Sequence, residues 1–146
     1  MKIFLALLLA LSLNAAGFWT LTGLKKSNVY VQNQLSLLKP ETLEMIKEKM
    51  TKALQKNGIA TEQQDSPTLM CSLEELSGDD TYFIYIKLAL GEEVQTFRED
   101  KTATFALTYE ATDFLETDEE AMQKDILESL DFLLSQFSEL YGDDNE

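Results

Sequence analysis

The chain has 146 residues, with 12 Lys or Arg against 26 Asp or Glu, no histidine and one cysteine, Cys71. That length suits a single domain with one core, and a formal charge of −14 repels phosphate backbones, so no nucleic-acid partner is expected. The same inventory removes Ser-His-Asp and Cys-His catalysis, an intramolecular disulfide framework and a zinc site built from Cys and His.

The first 24 residues, MKIFLALLLALSLNAAGFWTLTGL, carry one charge, Lys2. A positive start, an apolar run from Ile3 to Leu13 and the small residues Ala15, Ala16 and Gly17 match a secretory signal. We expect residues 1–16 to be a signal peptide, cleaved between 15 and 17, leaving the mature chain in the periplasm or outside the cell. The alternative is an uncleaved anchor in the inner membrane, since Ile3 to Leu24 is long enough to span. Ser12, Asn14, Gly17, Thr20, Thr22 and Gly23 make its second half poor hydrocarbon, and Lys25 and Lys26 oppose the usual positive-inside bias. No cysteine follows the run, so lipidation is not expected and a cleaved chain has no stable membrane anchor.

Residues 27–38 alternate in part and predict a first strand. Pro40 suits the first turn of a helix. In residues 41–58, Leu43, Ile46, Met50, Ala53 and Leu54 recur at helical spacing, and Gly58 suits the left-handed position past the helix end. A loop ending at Pro67 leads into TLMCSLEEL (68–76), with Leu69, Cys71 and Leu73 on one face. Cys71 reads as a small buried strand residue. SGDD (77–80) predicts a turn. Residues 81–97 predict a long strand with Tyr82, Ile84, Ile86 and Leu88 on one face, Phe83, Tyr85 and Lys87 on the other, and a bulge or bend at Gly91. REDK (98–101) predicts the next turn. TATFALTYEA (102–111) predicts a half-buried strand that aligns Ala103, Phe105, Leu107 and Tyr109.

TDEE (117–120) predicts a capping box, with the Thr117 hydroxyl accepting from the backbone N–H of Glu120. Met122, Ile126, Leu130, Leu133, Phe137 and Leu140 then define the buried stripe of a helix over about 118–141. Asp125, Glu128, Asp131 and Glu139 form its expected acidic outer face, and residues 142–146 an acidic, frayed tail. The whole predicts an α+β domain over 17–141, in the order β-α-β-β-β-α. Its sheet is four-stranded and mostly antiparallel, with both helices on one face.

The segments LLKPETLEMIKEKMTKALQKNGI, SPTLMCSLEEL and YFIYIKLAL, followed by a long closing helix, resemble a group of small secreted bacterial α+β proteins. Their layout is similar to the periplasmic domains of LptE and the N-terminal region of TolB. The resemblance implies an envelope location and a binding or assembly role, with an envelope protein or a lipid-related molecule as partner. It carries no catalytic signature, and the chain lacks the lipidated cysteine of LptE.

No phosphate-binding Gly-rich loop or Gly-x-Ser-x-Gly elbow occurs, so no cofactor is implied. Phe83, Tyr85 and Phe97 are the candidate partner-binding residues, as aromatic groups on a sheet face without a helix. The competing expectation is that GFWTLTGL (17–24) packs over that face. The alternative function is a carboxylate-based hydrolase or cation-binding protein, drawing on runs such as Glu92–Glu93 and Glu116–Asp118–Glu119–Glu120. It requires acidic groups that converge in a pocket.

Overall fold

The computed structural model describes residues 20–61, 65–76 and 81–146. The expected signal segment 1–16, together with Phe18, Trp19 and the SGDD turn, lies outside the described residues. The elements are β1 (Asn28–Asn33), α1 (Pro40–Lys56), β2 (Thr68–Leu76), β3 (Tyr82–Gln95), β4 (Ala103–Thr117) and α2 (Met122–Asp144). This is the expected α+β order.

The strands lie side by side in the order β1-β2-β3-β4. The α1 crossover makes β1 parallel to β2, while β2–β3 and β3–β4 are antiparallel. Strand alternation puts Leu69, Cys71, Leu73, Ile84, Ile86, Leu88 and Leu90 on one face, all fully buried. The helices cover that face. Helix α1 packs on β1, α2 packs on β3 and β4, and the helices touch each other. Ile46, Met50 and Leu54 of α1 and Ile126, Leu130, Leu133 and Phe137 of α2 close the core.

Local chemistry explains the boundaries of α1. Pro40 opens it, where its missing N–H is no loss. Gly58 ends it at φ +73°. The N–H of Gly58 donates to the Gln55 carbonyl and that of Ile59 to the Leu54 carbonyl, the paired bonds of a left-handed helix stop. Ile59 and Leu54 are both buried beside it.

Four expectations need correction. First, β4 does not align Ala103, Phe105, Leu107 and Tyr109. The register shifts between Leu90 and Gly91, so that Leu90 faces Tyr109 while Gly91 faces Leu107. Thr108 is the extra residue, and a bulge of this kind reverses the phase of everything beyond it. Tyr109 is therefore buried, whereas Phe105 and Leu107 emerge on the opposite, exposed face.

Second, TDEE does not form a capping box. Thr117 is the last residue of β4, and α2 starts at Met122 without a side-chain cap at Ala121. The Asp118 carboxylate accepts from the Ala121 N–H at 2.8 Å instead. Third, Asp125 is not on the solvent face. It accepts from the Thr117 hydroxyl at 2.5 Å.

Fourth, the C-terminal residues do not fray. Helix α2 continues to Asp144, whose carboxylate accepts from the Leu21 N–H at 2.9 Å. The Asn145 side chain accepts from the Gly23 N–H at 2.8 Å and donates to the Leu21 carbonyl at 3.1 Å. Leu21 is fully buried and joins the main core.

Candidate functional site

The sheet face opposite the helices is the candidate site. Its residues are the alternate partners of the core set. They include Tyr30 on β1, Met70 and Leu76 on β2, Phe83, Tyr85 and Lys87 on β3, and Glu110, Thr112, Phe114 and Glu116 on β4. Beyond the bulge, Phe105 and Leu107 join them. The face therefore carries two apolar groups, Leu76, Phe83, Tyr85 and Phe114 at one end and Tyr30, Met70, Phe105 and Leu107 at the other, separated by the polar row Gln32, Ser72, Lys87 and Thr112.

Phe83 and Tyr85 sit where the alternation places them, and both are half-buried. Tyr85 lies directly across from Phe114, and Phe83 reaches it diagonally. The Phe83 and Phe114 rings stack with centroids 6.1 Å apart and planes 21° apart. Phe97 is not part of this group. It stands in the β3–β4 connection with its side chain fully in solvent.

Sequence reasoning missed Phe105 and Phe114, which are 64% and 54% exposed. Strict alternation places Phe105 in the core because it ignores the bulge. Gly91 carries the one available signal. A side chain there would run into the Phe105 ring and the Met70 methyl, so glycine gives Phe105 a place to lie across β3. Phe114 falls in 112–116, a stretch between the predicted strand (102–111) and TDEE (117–120) to which the sequence assigns no element.

The described part of GFWTLTGL takes no place on this face. Leu21 and Leu24 are buried in the core on the helix side, and the Tyr141 hydroxyl donates to the Leu24 carbonyl at 3.1 Å. Phe18 and Trp19 lie outside the described residues.

The acidic runs do not converge. Asp65, Glu92 and Glu93 border one shallow hollow beside Phe105. Glu92 and Glu93 are consecutive on β3, so they point to opposite faces, and Glu92 already accepts from the Thr108 hydroxyl at 2.5 Å. Among the described residues, no group of three Asp, Glu or Cys side chains could hold a metal ion. Cys71 is buried on the core face, and desolvation pushes its thiol up to about 12, far from a reactive thiolate.

No protein-family model matches the chain, and no curated protein matches it by sequence. No helix among the described residues is long and apolar enough to cross a membrane.

Proposed function

We propose that this is an exported, periplasmic binding or assembly-accessory protein that acts by holding a partner on its open sheet face. One observation carries the reading. Phe105, Leu107, Phe114, Leu76 and Tyr30 are all exposed on the side of the sheet that has no helix. They form two clusters, around Phe114 and around Phe105; exposed apolar clusters mark interaction surfaces, and aromatic side chains supply much contact area for little ordering cost. The export component rests on residues 1–16 and their fit to a secretory signal.

In-cell photo-crosslinking tests both components. A photoreactive residue placed at Phe105 or Phe114 should give a discrete adduct with an envelope protein, identified by mass spectrometry, and the protein should fractionate with the periplasm. The same residue placed at Lys52, on the outer face of α1, should not. Equal adducts from both faces, or a chain retained in the cytoplasm, would overturn the proposal.

A further inference from the structure

The open face ends at a free edge, and that edge is chemically specific. Among the described residues β4 pairs with no strand but β3, so its other side is open to a further strand, with the Phe114 N–H donating to the Asp113 carboxylate at 2.9 Å. From Tyr109 to Thr117 the strand is regular, with nine consecutive pairs to β3 and no bulge. Edge strands are commonly protected by brevity, bulges or lysine. This stretch has none of the three; its one protective feature is the inward-pointing charge of Asp113, which is tied to Ser129.

What it carries instead is acid at fixed spacing. Glu110 and Glu116 point to the open face with Thr112 and Phe114 between them. A second copy of the chain is a poor occupant for this edge. Antiparallel pairing of two copies would set glutamates near one another across strands, which is unfavourable, and each copy carries a net charge of −14. A strand with basic groups at both ends and apolar groups between them is complementary.

The helix side of the edge adds an independent feature. Asp125 and Ser129 of α2 both bond to β4, through Thr117 and Asp113. Phe132 follows in the same row of α2, three residues after Ser129, and is 54% exposed. An added strand would lie about 4.8 Å outside β4. It would then run beside Phe114 on the open face of the sheet.

We infer that Tyr109–Thr117 of β4 is a strand-addition site for an extended, basic partner segment. In that segment Lys or Arg at alternate positions i and i+6 would oppose Glu110 and Glu116. Apolar side chains at i+2 and i+4 would meet Thr112 and Phe114. Main-chain hydrogen bonds would supply the affinity, and the alternating side chains the choice of partner. This inference rests on the binding function proposed above and specifies its mode.

The test uses the full chain, labelled with 15N, and the capped heptapeptide Lys-Thr-Val-Val-Val-Thr-Lys as probe. Binding should shift and slow the exchange of backbone N–H groups in Glu110–Glu116. The paired substitution Glu110→Lys with Glu116→Lys should weaken binding about tenfold, since each cross-strand pair changes from attraction to repulsion. Both residues are exposed, and unchanged circular dichroism would show that the variant folds. A heptapeptide with proline at its centre, which lacks the central N–H donor, should also bind more weakly.

Equal binding by the proline peptide or by a Glu-ended peptide would overturn the inference. So would an absence of binding, or protection confined to β1. If crosslinks from Phe105 still identified an envelope partner in that event, strand addition would fall and the binding function would stand. If those crosslinks were absent as well, both would fall.

Discussion

The Asp113 carboxylate accepts a hydrogen bond from the Ser129 hydroxyl at 2.6 Å, beneath the helix layer. Four residues along each element, Thr117 donates to Asp125 at 2.5 Å. The acid belongs to the strand in one pair and to the helix in the other. Together the pairs seam α2 to the edge strand β4 at a margin where the apolar core has run out. Removing only the hydroxyl leaves a partly buried carboxylate with a partner missing. Ser129→Ala should therefore cost about 1–2 kcal/mol. The double variant Asp113→Ala, Ser129→Ala should cost less than the two single losses combined. Urea unfolding checks both, and strictly additive losses would show that the pair is not coupled.

Gly91→Ala tests the bulge and the aromatic face together. The added methyl would meet the Phe105 ring and the Met70 methyl. Both are the ends of flexible side chains, so the fold should survive with a loss of about 1 kcal/mol. Phe105 should leave its place across β3. NMR shifts of the Phe105 ring, together with the thermal midpoint, report the two effects. An unmoved ring would contradict the account of why glycine occupies this position.

Alkaline pH should unfold the protein through two buried groups. Desolvation raises the Cys71 thiol from 9.0 to about 12 and the Tyr109 phenol from 10.0 to about 12. Both shifts favour the neutral form in the folded state. The stability they contribute is complete below the unfolded pKa values and is lost as pH rises through the folded ones. Stability should therefore be flat up to about pH 9 and fall from there to pH 12. The Tyr109 hydroxyl is buried and finds no hydrogen-bond partner among the described residues. Tyr109→Phe should thus be neutral or stabilising by up to about 1 kcal/mol, and should flatten part of the alkaline decline. A Tyr109→Phe variant with an unchanged decline above pH 10 would exclude the phenol as a cause.

Removing residues 142–146 should destabilise the domain although the segment is short and acidic. It deletes the Asp144 and Asn145 bonds to Leu21 and Gly23 and loosens the fully buried Leu21. Burial of a leucine and the lost hydrogen bonds together set the expected cost at about 2–4 kcal/mol. Asn145→Ala alone should cost about 1 kcal/mol. Thermal unfolding of both variants checks this, and a truncated chain as stable as the intact one would refute it.

The parts of the fold that were legible in the sequence are those decided by neighbours along the chain. Alternation of Leu69, Cys71 and Leu73 places β2, and Gly58 places the end of α1, because each follows from a local period or a local backbone requirement. The parts that were not legible depend on a second strand or a distant residue. Nothing near Thr108 announces the bulge that sends Phe105 and Leu107 away from the core, since the shift exists only in the register against β3. Thr117 has a helix-cap context in sequence, but β4 extends to it and turns its hydroxyl toward Asp125. At the candidate site, alternation alone identifies Phe83 and Tyr85. Phe114 becomes visible only once β4 is known to continue past residue 111, and Phe97 falls away because the turn carries it off the sheet.

The clamp between residues 21–23 and 144–145 brings the two ends of the described chain side by side, so the domain is close to a closed ring of polypeptide. A new break in the exposed β3–β4 turn, with a short linker joining the old ends, would keep every strand neighbour in place. The same adjacency sets how the domain responds to pulling. Tension applied through its two ends would load the Leu21–Asp144 and Gly23–Asn145 bonds first. The clamp would peel open one contact at a time before the sheet carried any load.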